Sequence, residues 1–423
     1  MKVLVVGSGG REHALVWKLS QSNSVSGIYC SPGNGGISAI ADCVGIDADD
    51  IEGLLAFAKK EKIDFTVVGP EAPLVSGIVD IFEKEGLHIF GPVSQGAKLE
   101  GSKAFSKNFM RKHGIPTAEF QIFDNSDEAA DYIRGKKYPL VVKADGLAAG
   151  KGVFVCSSAA EAEEAAGLIM KKGIFGKAGR EIVVEECLKG EEASILAFCD
   201  GNTIMPMDSS QDHKRIFDGD KGPNTGGMGA YSPAPVITGN LMKVIDEKIL
   251  QRTIRGLKKE GIKYKGVIYA GIMVTDKGPM VLEYNVRFGD PETQPLLMRM
   301  KTDLMEVIKT VSAGDLNKIK LEWDDRAAVC VVMASGGYPG KYDKGFEVTG
   351  LEKAGSINDV FVFHAGTRRK DGRILTSGGR VLGVTALGNN IEKAVEKAYG
   401  AAGLIKFDGV FFRKDIGHKA LAK

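Results

Sequence analysis

The sequence contains no C-x-x-C pair, and its six cysteines are scattered over 423 residues. This spacing argues against a zinc knuckle, a redox dithiol or a disulfide framework, so we expect core cysteines in a reducing compartment. No run approaches the roughly 18 apolar residues of a membrane span. The first segment, MKVLVVGSGGRE, turns to glycine and charge too early for a signal peptide. These features predict a cytoplasmic protein without a membrane partner.

The chain also has no strong excess of charge of either sign. Its 56 basic and 54 acidic residues leave a net charge of +2, so no overall field favours nucleic acid and any anion site must be built locally. The length predicts about three domains. We expect a monomer whose partners are small molecules.

Residues 1–101 alternate short apolar runs with amphipathic segments. KVLVVG, GIYC and IDFTVVGP have the composition of strands, and REHALVWKLSQS, DIEGLLAFAKKE and LVSGIVDIFEKEG that of helices. This alternation predicts a parallel sheet with helices on its faces and ligands at the carboxyl ends of the strands. The turns GSGGRE, GNGG and Gly69-Pro70-Glu71 should share that rim. A helical stretch, SQGAKLEGSKAFSKNFMRKHG, should lead out of this domain.

Three further units are expected after it. Residues 116–188 read as a lid-sized α+β module. Residues 191–325 are rich in strands, with one long amphipathic helix, NLMKVIDEKILQRTIRGLKKEG, and a hairpin that turns at Asp276-Lys277-Gly278. Residues 326–423 contain short strands closed by an N-capped helix, NNIEKAVEKAYGAAGLI. The sequence therefore predicts a multidomain protein of mixed α/β and α+β class.

The turn GSGGRE follows a strand and begins a helix, as in a dinucleotide-binding site. The G-x-G-x-x-G pattern fails at its third glycine, where Glu12 stands. Two interpretations remain open with equal weight. Backbone N–H groups at Gly9 and Gly10 can hold an anion at the rim, or the turn is needed only for packing.

The segment PLVVKADGLAAGKGV is more informative. Lys143 ends an apolar strand, and a turn of small residues with Gly150, Lys151 and Gly152 leads to a second strand. The lysine supplies a fixed positive charge for a phosphate, and the small residues let backbone amides close over further phosphates. A hairpin with a solvated lysine is the less favoured alternative. The loop is not a Walker A loop, because G-x-x-x-x-G-K-[ST] is absent.

These features, taken in order, resemble the ATP-grasp superfamily. Lys103 precedes a helix, Lys143 precedes the glycine loop, Glu185-Glu186 follows it, and a late acidic strand leads to Arg287. The strings RFGDPETQ, GSGGREHAL, SQDHKR and GPNTGGMGAYSP are similar to those of the phosphoribosylamine-glycine ligase family. They span essentially the whole chain.

The resemblance implies a domain order and a set of nucleotide contacts. The expected domains are an N-terminal parallel-sheet substrate-binding domain (1–101), an ATP-grasp domain of two α+β modules (102–325) with its lid at 116–188, and a small C-terminal α+β domain (326–423). The expected ATP contacts are Lys103 and Lys143 for phosphates, Glu185, Glu186 and Leu188 for adenine with an uncertainty of one residue in register, and Glu192 for ribose.

Glu283 and Asn285 alternate with Tyr284 on one strand, so both should face the same side and offer oxygens to Mg²⁺ or Mn²⁺. Arg287 continues that face. Gly271 stands where many ATP-grasp enzymes carry a second carboxylate. Of the predicted metal ligands, only Glu283 is therefore firmly assigned.

The resemblance further implies a reaction in de novo purine biosynthesis. Glycine would attack ATP to form glycyl phosphate, and 5-phosphoribosylamine would displace phosphate to give glycinamide ribonucleotide and ADP. Lys143 and Arg287 would stabilise the transferring group, whereas Asp212 and Asp290 would orient the amines. Asp212 can alternatively belong to a structural turn, and we expect His213 to be structural.

The phosphate of the second substrate needs its own site. Ser377, Gly379 and Arg380 combine a hydroxyl, a glycine and a guanidinium suited to bidentate phosphate contact. A plain hairpin turn is an equally weighted interpretation. Competing functions are another ATP-grasp activity, such as a carboxylase, a nucleotide-binding regulatory protein and a dinucleotide-dependent oxidoreductase. The strings RFGDPETQ and TGGMGAYSP argue against the first. A regulatory protein gives no reason for the paired Lys103 and Lys143 with Glu283, and the missing third glycine argues against the oxidoreductase.

Overall fold

The N-terminal part of the chain forms the predicted five-stranded parallel sheet. The computed structural model describes residues 1–148 and 150–422. The strands are β1 (Lys2–Gly7), β2 (Gly27–Pro32), β3 (Asp42–Cys43), β4 (Phe65–Val68) and β5 (Ile89–Phe90). The helices are α1 (Gly10–Leu19), α2 (Ile51–Glu61), α3 (Glu71–Val75), α4 (Ile78–Lys84) and α5 (Ser94–Gly101). The order is β3-β2-β1-β4-β5 with parallel pairing throughout. The three predicted turns therefore share one rim.

The helical stretch that leaves this domain is broken once. α5 ends at Gly101, and α6 (Lys103–Lys112) begins after Ser102. The Ser102 hydroxyl accepts a hydrogen bond from the Phe105 N–H at 3.0 Å, which is the N-cap contact that starts a new helix. The predicted single stretch is thus two helices, with Lys103 at the first position of the second.

The next unit is a four-stranded antiparallel sheet with two helices, which we call the lid. Its elements are β6 (Phe120–Phe123), α7 (Ser126–Arg134), β7 (Leu140–Ala144), β8 (Val153–Cys156), α8 (Ala159–Ala166) and β9 (Ile182–Glu186). The order is β6-β9-β7-β8. All five residues of β7 are buried, as expected for the apolar run that ends at Lys143. The lid agrees with the α+β module predicted here.

The central region has a second antiparallel sheet, in the order β11-β10-β16-β17. We call it the larger sheet because β10, β16 and β17 are longer than the strands of the lid. The strands of residues 191–285 are β10 (Glu191–Cys199), β11 (Ile204–Pro206), β12 (Gln211–Asp212), β13 (Arg215–Phe217), β14 (Lys221–Asn224), β15 (Gly229–Ser232), β16 (Gly266–Thr275) and β17 (Gly278–Asn285). Thr275 pairs with Gly278, which confirms the predicted hairpin.

This region has more helices than the one that the sequence predicts. They are α9 (Gly239–Ile245), α10 (Gln251–Lys259), α11 (Thr293–Arg299) and α12 (Leu304–Ala313). A π-helical segment at Asp246–Leu250 joins α9 to α10, so these two account for the one predicted amphipathic helix. The prediction of a single helix was wrong, because α11 and α12 were missed.

The C-terminal region folds around a six-stranded sheet. Its elements are β18 (Ala327–Ser335), α13 (Leu351–Gly355), β19 (Val360–His364), β20 (Thr367–Lys370), β21 (Arg373–Thr376), β22 (Arg380–Gly388), α14 (Ile391–Ala402), β23 (Val410–Phe411) and α15 (His418–Leu421). Asn390 caps α14 by accepting a hydrogen bond from the Lys393 N–H at 2.9 Å, which confirms the predicted N-capped helix.

This six-stranded sheet is shared between distant parts of the chain. Its order is β12-β15-β18-β22-β19, with β23 also paired to β18. β12 and β15 come from residues 211–232, and β15 pairs with β18 over Gly229 to Ser232. The central and C-terminal regions are therefore joined by a continuous hydrogen-bond ladder. No helix within residues 1–148 and 150–422 is both long and apolar enough to cross a membrane.

Candidate active site

The cavity between the lid and the larger sheet is where most predicted site residues meet. Its volume is about 1150 Å³, and the N- and C-terminal regions contribute to its walls. The predicted residues on its walls are Glu71, Lys103, Lys143, Gly150, Lys151, Glu185, Glu186, Leu188, Glu192, Asp212, Glu283, Asn285, Arg287, Asp290 and Arg380. The predicted residues outside its walls are Gly9, Gly10, Gly152, Ser377 and Gly379. Candidates for the nucleotide and for the substrates thus face one space.

Lys143 is buried at the end of β7 and is already paired. Its Nζ lies 2.5 Å from Glu185 Oε1 and donates to the Leu282 carbonyl at 3.3 Å. Glu185 also forms an ion pair with Lys107 of α6. Burial opposes the charge on Lys143, but Glu185 and then Glu283 hold its pKa above the ordinary value. An anion entering here would meet two ammonium groups that share one carboxylate.

Lys103 joins the first turn of α6 to the glycine loop. Its Nζ donates to the Gly146 carbonyl at 3.2 Å, and its N–H donates to the Asp145 carbonyl at 3.0 Å. The Asp145 carboxylate accepts hydrogen bonds from the Ser102 hydroxyl at 2.9 Å and the Ala104 N–H at 2.7 Å. These contacts fix the base of the loop to the N-terminus of α6.

The rest of the glycine loop is shaped by its small residues. Gly150 has a φ of 74°, in the left-handed region that favours glycine. The Lys151 N–H donates to the Ala148 carbonyl at 2.9 Å. A Cβ on Gly152 would lie 2.8 Å from the Ala148 Cβ, so Gly152 serves loop packing while Gly150 and Lys151 face the cavity.

The two adjacent glutamates at the end of β9 have different environments. Glu185 is buried and engaged by two lysines, whereas Glu186 is exposed. The Glu186 N–H donates to the Glu119 carbonyl at 3.0 Å. β9 ends at Glu186, and the chain then leaves the sheet towards Leu188, which lines the cavity. The side chain of Glu185 therefore faces Lys143, which was predicted for phosphate, and Lys107, which was not predicted.

Asp212 and Glu192 both lie near the ammonium group of Lys214. The Lys214 Nζ lies 2.8 Å from Glu192 Oε2 and lowers the pKa of Glu192. Burial raises the pKa of Asp212 to about 7; Lys214 opposes this shift, and Glu292 adds to it. The intervening His213 is fully buried, and neither ring nitrogen has a hydrogen-bond partner among the described residues. Burial lowers the pKa of His213 to about 3, so it is neutral.

Glu283 and Asn285 lie on the cavity side of β17, as their alternation predicts. Tyr284 between them points into the core, is 2% exposed, and its hydroxyl lies 2.6 Å from the Thr253 hydroxyl. Gly271 of β16 pairs directly with Glu283. The position where a second carboxylate was considered is therefore opposite Glu283 and carries no side chain.

Glu283 is surrounded by positive charge rather than by other ligating side chains. Burial raises its pKa, but Lys214, Lys143, Lys103 and Arg287 outweigh that effect and lower it. Among residues 1–148 and 150–422, no group of three or more histidine, cysteine, aspartate or glutamate side chains could hold a metal ion. A carboxylate and an amide on one strand fit a hard cation that takes its other oxygens from a nucleotide.

Arg287 ends the same strand and is held by two carboxylates. Its Nε lies 3.1 Å from Glu71 Oε2, and its Nη2 lies 2.9 Å from Glu100 Oε1. Its Nη1 donates to the Phe288 carbonyl at 3.3 Å. Burial raises the pKa of Glu71, but Arg287 and then Arg11 bring it down to about 2. Glu71 is therefore ionised at neutral pH.

Asp290 links the N-terminal rim to the C-terminal sheet. Arg380 approaches it with Nη2 3.1 Å from Oδ2, and its Nη1 donates to the Asp290 carbonyl at 2.8 Å. A Cβ on Gly9 would lie 3.2 Å from Asp290 Oδ2, and one on Gly10 would lie 2.6 Å from Gln294 Nε2. The glycines of the first turn thus permit close approach of the RFGDPETQ segment.

Glu12 explains why the third glycine of the dinucleotide pattern is missing. Its carboxylate accepts a hydrogen bond from the Gly9 N–H at 2.6 Å and one from Arg11 Nε at 2.5 Å. A Cβ on Gly7 would lie 2.6 Å from the Glu12 Cγ. The side chain therefore occupies the space inside the turn. The Gly9 N–H is already engaged by this carboxylate.

The turn at residues 377–379 packs behind the cavity. The Ser377 N–H donates to the Gly366 carbonyl at 2.8 Å, and the Gly379 carbonyl accepts from the Ser335 N–H at 2.8 Å. A Cβ on Gly379 would overlap the Tyr338 ring. Arg380 reaches the cavity wall, whereas Ser377 and Gly379 serve the packing of this turn.

The cavity residues that sequence reasoning missed include four charged residues close to the predicted ones, namely Lys107, Lys214, Glu100 and Glu292. Two of these residues, Lys107 and Lys214, could have been found from the sequence. Lys107 lies four residues after Lys103 on one helix, which places both on the same face, and Lys214 lies two residues after Asp212. Glu100 and Glu292 resemble ordinary acids beside glycine or proline. Their partners lie on other elements.

Two antiparallel sheets with a cation-lined cavity between them, approached by a glycine loop, define an ATP-grasp protein. Three models of phosphoribosylglycinamide synthetase match the chain in order: the N domain at residues 1–100, the ATP-grasp (A) domain at 101–293 and the C domain at 328–419. The chain belongs to the phosphoribosylglycinamide synthetase family.

Full-length relatives agree with this assignment. The phosphoribosylamine–glycine ligase of Caldanaerobacter subterraneus subsp. tengcongensis is 54% identical over 98% of this chain and 99% of its own length. That of Ralstonia nicotianae is 52% identical over 100% of both chains. Both identities are high enough to place this chain within the same family.

Solved structures show the same architecture. The crystal structure of phosphoribosylamine–glycine ligase from Thermotoga maritima superposes with a TM-score of 0.84 at 35% identity, covering 98% of this chain and 100% of that one. Biotin carboxylase from Campylobacter jejuni gives a TM-score of 0.76 at 14% identity, covering 100% and 95%. This second likeness concerns the fold alone.

Proposed function

We propose that the protein joins glycine to 5-phosphoribosylamine at the expense of ATP, giving glycinamide ribonucleotide, ADP and phosphate in de novo purine biosynthesis. The observation that carries the proposal is the gathering of Lys103, Lys143, Lys214 and Arg287 around Glu283 in one cavity. Such a cluster suits a polyphosphate, and it lies beside the Asp290 and Arg380 pair that faces the N-terminal rim.

ATP would lie in the part of the cavity nearest the lid. Lys103 and Lys143 would hold its phosphates together with backbone of the loop at Gly150 and Lys151, because buried cations and amides stabilise phosphoryl charge. Lys107 belongs to the same group through Glu185. The segment from Glu186 to Leu188 would contact adenine where β9 leaves the sheet, and Glu192 would meet the ribose.

A divalent cation would be held by Glu283 and Asn285, with the remaining oxygens from the nucleotide and water. Glu283 and Asn285 offer oxygen ligands, which suit Mg²⁺, and Mn²⁺ is the proposed alternative. When bound, the cation neutralises phosphate charge. The protein side chains position the reacting groups around it.

The reaction would proceed through two displacements. A glycine carboxylate oxygen attacks the γ-phosphorus of ATP, the bond to ADP breaks, and glycyl phosphate forms. The amine of phosphoribosylamine then attacks the carbonyl carbon, phosphate leaves with that carboxylate oxygen, and the amine loses a proton. Arg287 would hold the glycine carboxylate, and Asp212 and Asp290 would orient the amines and accept hydrogen bonds from them.

The second substrate would lie between the N-terminal rim and Arg380. Glu71, Gly9 and Gly10 lie at that rim, and Arg380 would contact the substrate phosphate. Ser377 and Gly379 would act by fixing the turn that precedes Arg380. We retain the domain limits 1–101, 102–325 and 326–423, and a monomeric, cytoplasmic enzyme, as predictions.

An isotope experiment tests both the activity and its intermediate. Purified protein is incubated with ATP, Mg²⁺, glycine labelled with ¹⁸O in its carboxylate, and phosphoribosylamine prepared from ribose 5-phosphate and ammonia. We expect glycinamide ribonucleotide, ADP, and phosphate carrying one ¹⁸O atom, each absent when glycine is omitted. ATP binding without ADP release in the complete mixture would refute the activity. Product with unlabelled phosphate would refute glycyl phosphate.

A further inference from the structure

Glu100 is a buried acid on the border between the N-terminal domain and β17. It is the last side chain of α5 before Gly101, and 8% of the side chain is exposed. Its Oε2 accepts a hydrogen bond from the Val286 N–H at 2.8 Å, and its Oε1 lies 2.9 Å from Arg287 Nη2. Both oxygens are therefore used, and they contact the two successive residues that follow β17.

These contacts fix one edge of the Arg287 guanidinium. A guanidinium has five N–H groups. Nε faces Glu71, Nη2 faces Glu100 and Nη1 faces the Phe288 carbonyl. Among the described residues, one N–H group on each terminal nitrogen is therefore left without a hydrogen-bond partner. Two such groups match the two oxygens of a carboxylate.

We propose that Glu100 is a positioning residue that holds Arg287 across the domain border so that its two remaining N–H groups receive the carboxylate of glycine. The inference rests on the proposed function, in which Arg287 binds that carboxylate. Glu71 alone would hold only one side of the guanidinium, and at 30% exposure it is the looser of the two contacts. Glu100 supplies the buried contact that sets the orientation.

The charged groups that face Glu100 come from four other elements. They are Arg287 after β17, Glu71 of α3, Arg11 of α1 and Lys103 of α6, with the Tyr264 hydroxyl before β16. Burial raises the pKa of Glu100 to about 7, Arg287 opposes the shift and Glu71 adds to it. Glu100 therefore gains its charge as the pH rises through about 7, and its hold on Arg287 tightens in the same range.

The test uses the full chain with Glu100→Gln, which keeps the length of the side chain and an acceptor for the Val286 N–H. We expect the KM for glycine to rise about tenfold, the loss typical of one charge-assisted contact, while the KM for ATP stays within about twofold. Glu52→Gln, an exposed acid on α2 with no role in the cavity, is the matched control. An unchanged or lowered KM for glycine would overturn the proposal.

A double mutant separates this proposal from the proposed function. If Glu100 acts through Arg287, adding Glu100→Gln to Arg287→Lys should cause no further loss, because contacting residues are not additive. Full additivity would overturn the positioning role. If Arg287→Lys impairs glycine use while Glu100→Gln does not, positioning fails and the proposed function stands. If neither Arg287→Lys nor Glu100→Gln has an effect, the proposed binding of the glycine carboxylate by Arg287 is refuted as well.

A measurement on the unaltered enzyme covers the case in which Glu100→Gln does not fold. The KM for glycine should fall as the pH rises from about 6 to about 8, with a midpoint near 7, and the KM for ATP should not follow the same curve. A glycine KM that is constant across this range would contradict the proposal. In a folded Glu100→Gln variant the dependence should disappear.

Discussion

Lys143→Met removes one positive charge from the centre of the proposed ATP site at nearly constant volume. Methionine is unbranched and apolar, so it can fill the buried space that the lysine stem leaves. Lys143 now contacts Glu185 Oε1 at 2.5 Å and the Leu282 carbonyl at 3.3 Å. The substitution therefore breaks a buried ion pair and removes a donor for phosphate.

The two effects differ in size. Breaking a buried ion pair outright costs about 3–5 kcal/mol, but Glu185 keeps its contact with Lys107, so we expect a loss of about 2 kcal/mol in the free energy of unfolding. Removing a preorganised charge that stabilises transferring phosphoryl oxygens costs about 3–4 kcal/mol. That is a fall of roughly 10² to 10³ in kcat/KM for ATP. Catalysis should suffer more than folding.

The assay is ADP release at varied ATP with glycine and phosphoribosylamine saturating, together with chemical denaturation of each variant. Lys171→Met is the matched control, since Lys171 lies in the same lid but is 63% exposed and pairs with Asp127, which is itself exposed. It should change neither quantity appreciably. A kcat/KM for ATP within about threefold of the unaltered enzyme, in a folded Lys143→Met protein, would refute a phosphate contact for Lys143.

Four other substitutions test separate parts of the structure. Glu283→Gln should raise the Mg²⁺ concentration needed for half-maximal activity by about tenfold or more, because a neutral amide is a weaker ligand for a hard cation; an unchanged metal titration would remove Glu283 from the site. Arg287→Lys keeps the charge but loses the planar fork, so turnover with glycine should fall by about 2 kcal/mol in kcat/KM while ATP affinity changes little; equal kinetics would make Arg287 structural. Asp212 becomes charged only as the pH rises through about 7, so turnover at saturating glycine should rise over that range, and a rise that persists unchanged in Asp212→Asn would exclude Asp212 as its source. Burial raises the pKa of Asp220, but hydrogen bonds from Lys419 and then Arg413 bring it down to about 2, so this stabilisation is present above about pH 4 and is lost as the pH falls towards 2. Arg413→Met should reduce that part of the acid dependence of unfolding, while Lys419 keeps the rest, and denaturation at pH 3 and pH 7 would measure the change.

The N-terminal sheet and the lid could be predicted because each is built from neighbouring segments with clear periodicity. The apolar run before Lys143 and the alternation of Glu283, Tyr284 and Asn285 are local patterns, and the structure places them as expected. Helix α11 was missed because it has only seven residues and Pro295 lies in its first turn, where proline is tolerated but is more often taken as a stop.

Contacts between distant segments of the chain could not be predicted from the sequence. Glu100 is 186 residues from Val286, and nothing in the string LEGSK distinguishes it from a surface acid. β12 has two residues and β15 has four, too few to show a strand period or to name a partner. The engagement of Glu185 with Lys107 and Lys143 likewise depends on how α6 packs against the lid. Such pairings follow from tertiary packing alone.

The six-stranded sheet that joins residues 211–232 to residues 327–411 imposes an order on biosynthesis. Ribosomes release the N-terminal segments first, so β15 must wait for almost a hundred further residues before β18 can pair with it. During that interval its backbone is an open strand edge, the kind of surface that promotes association between chains. Asp212 of β12, which pairs with Ala230 of β15, acquires its final surroundings only when the last quarter of the chain has emerged. A nascent polypeptide stopped at residue 325 would therefore carry the lysines that we propose for the nucleotide and still be incomplete and prone to aggregation.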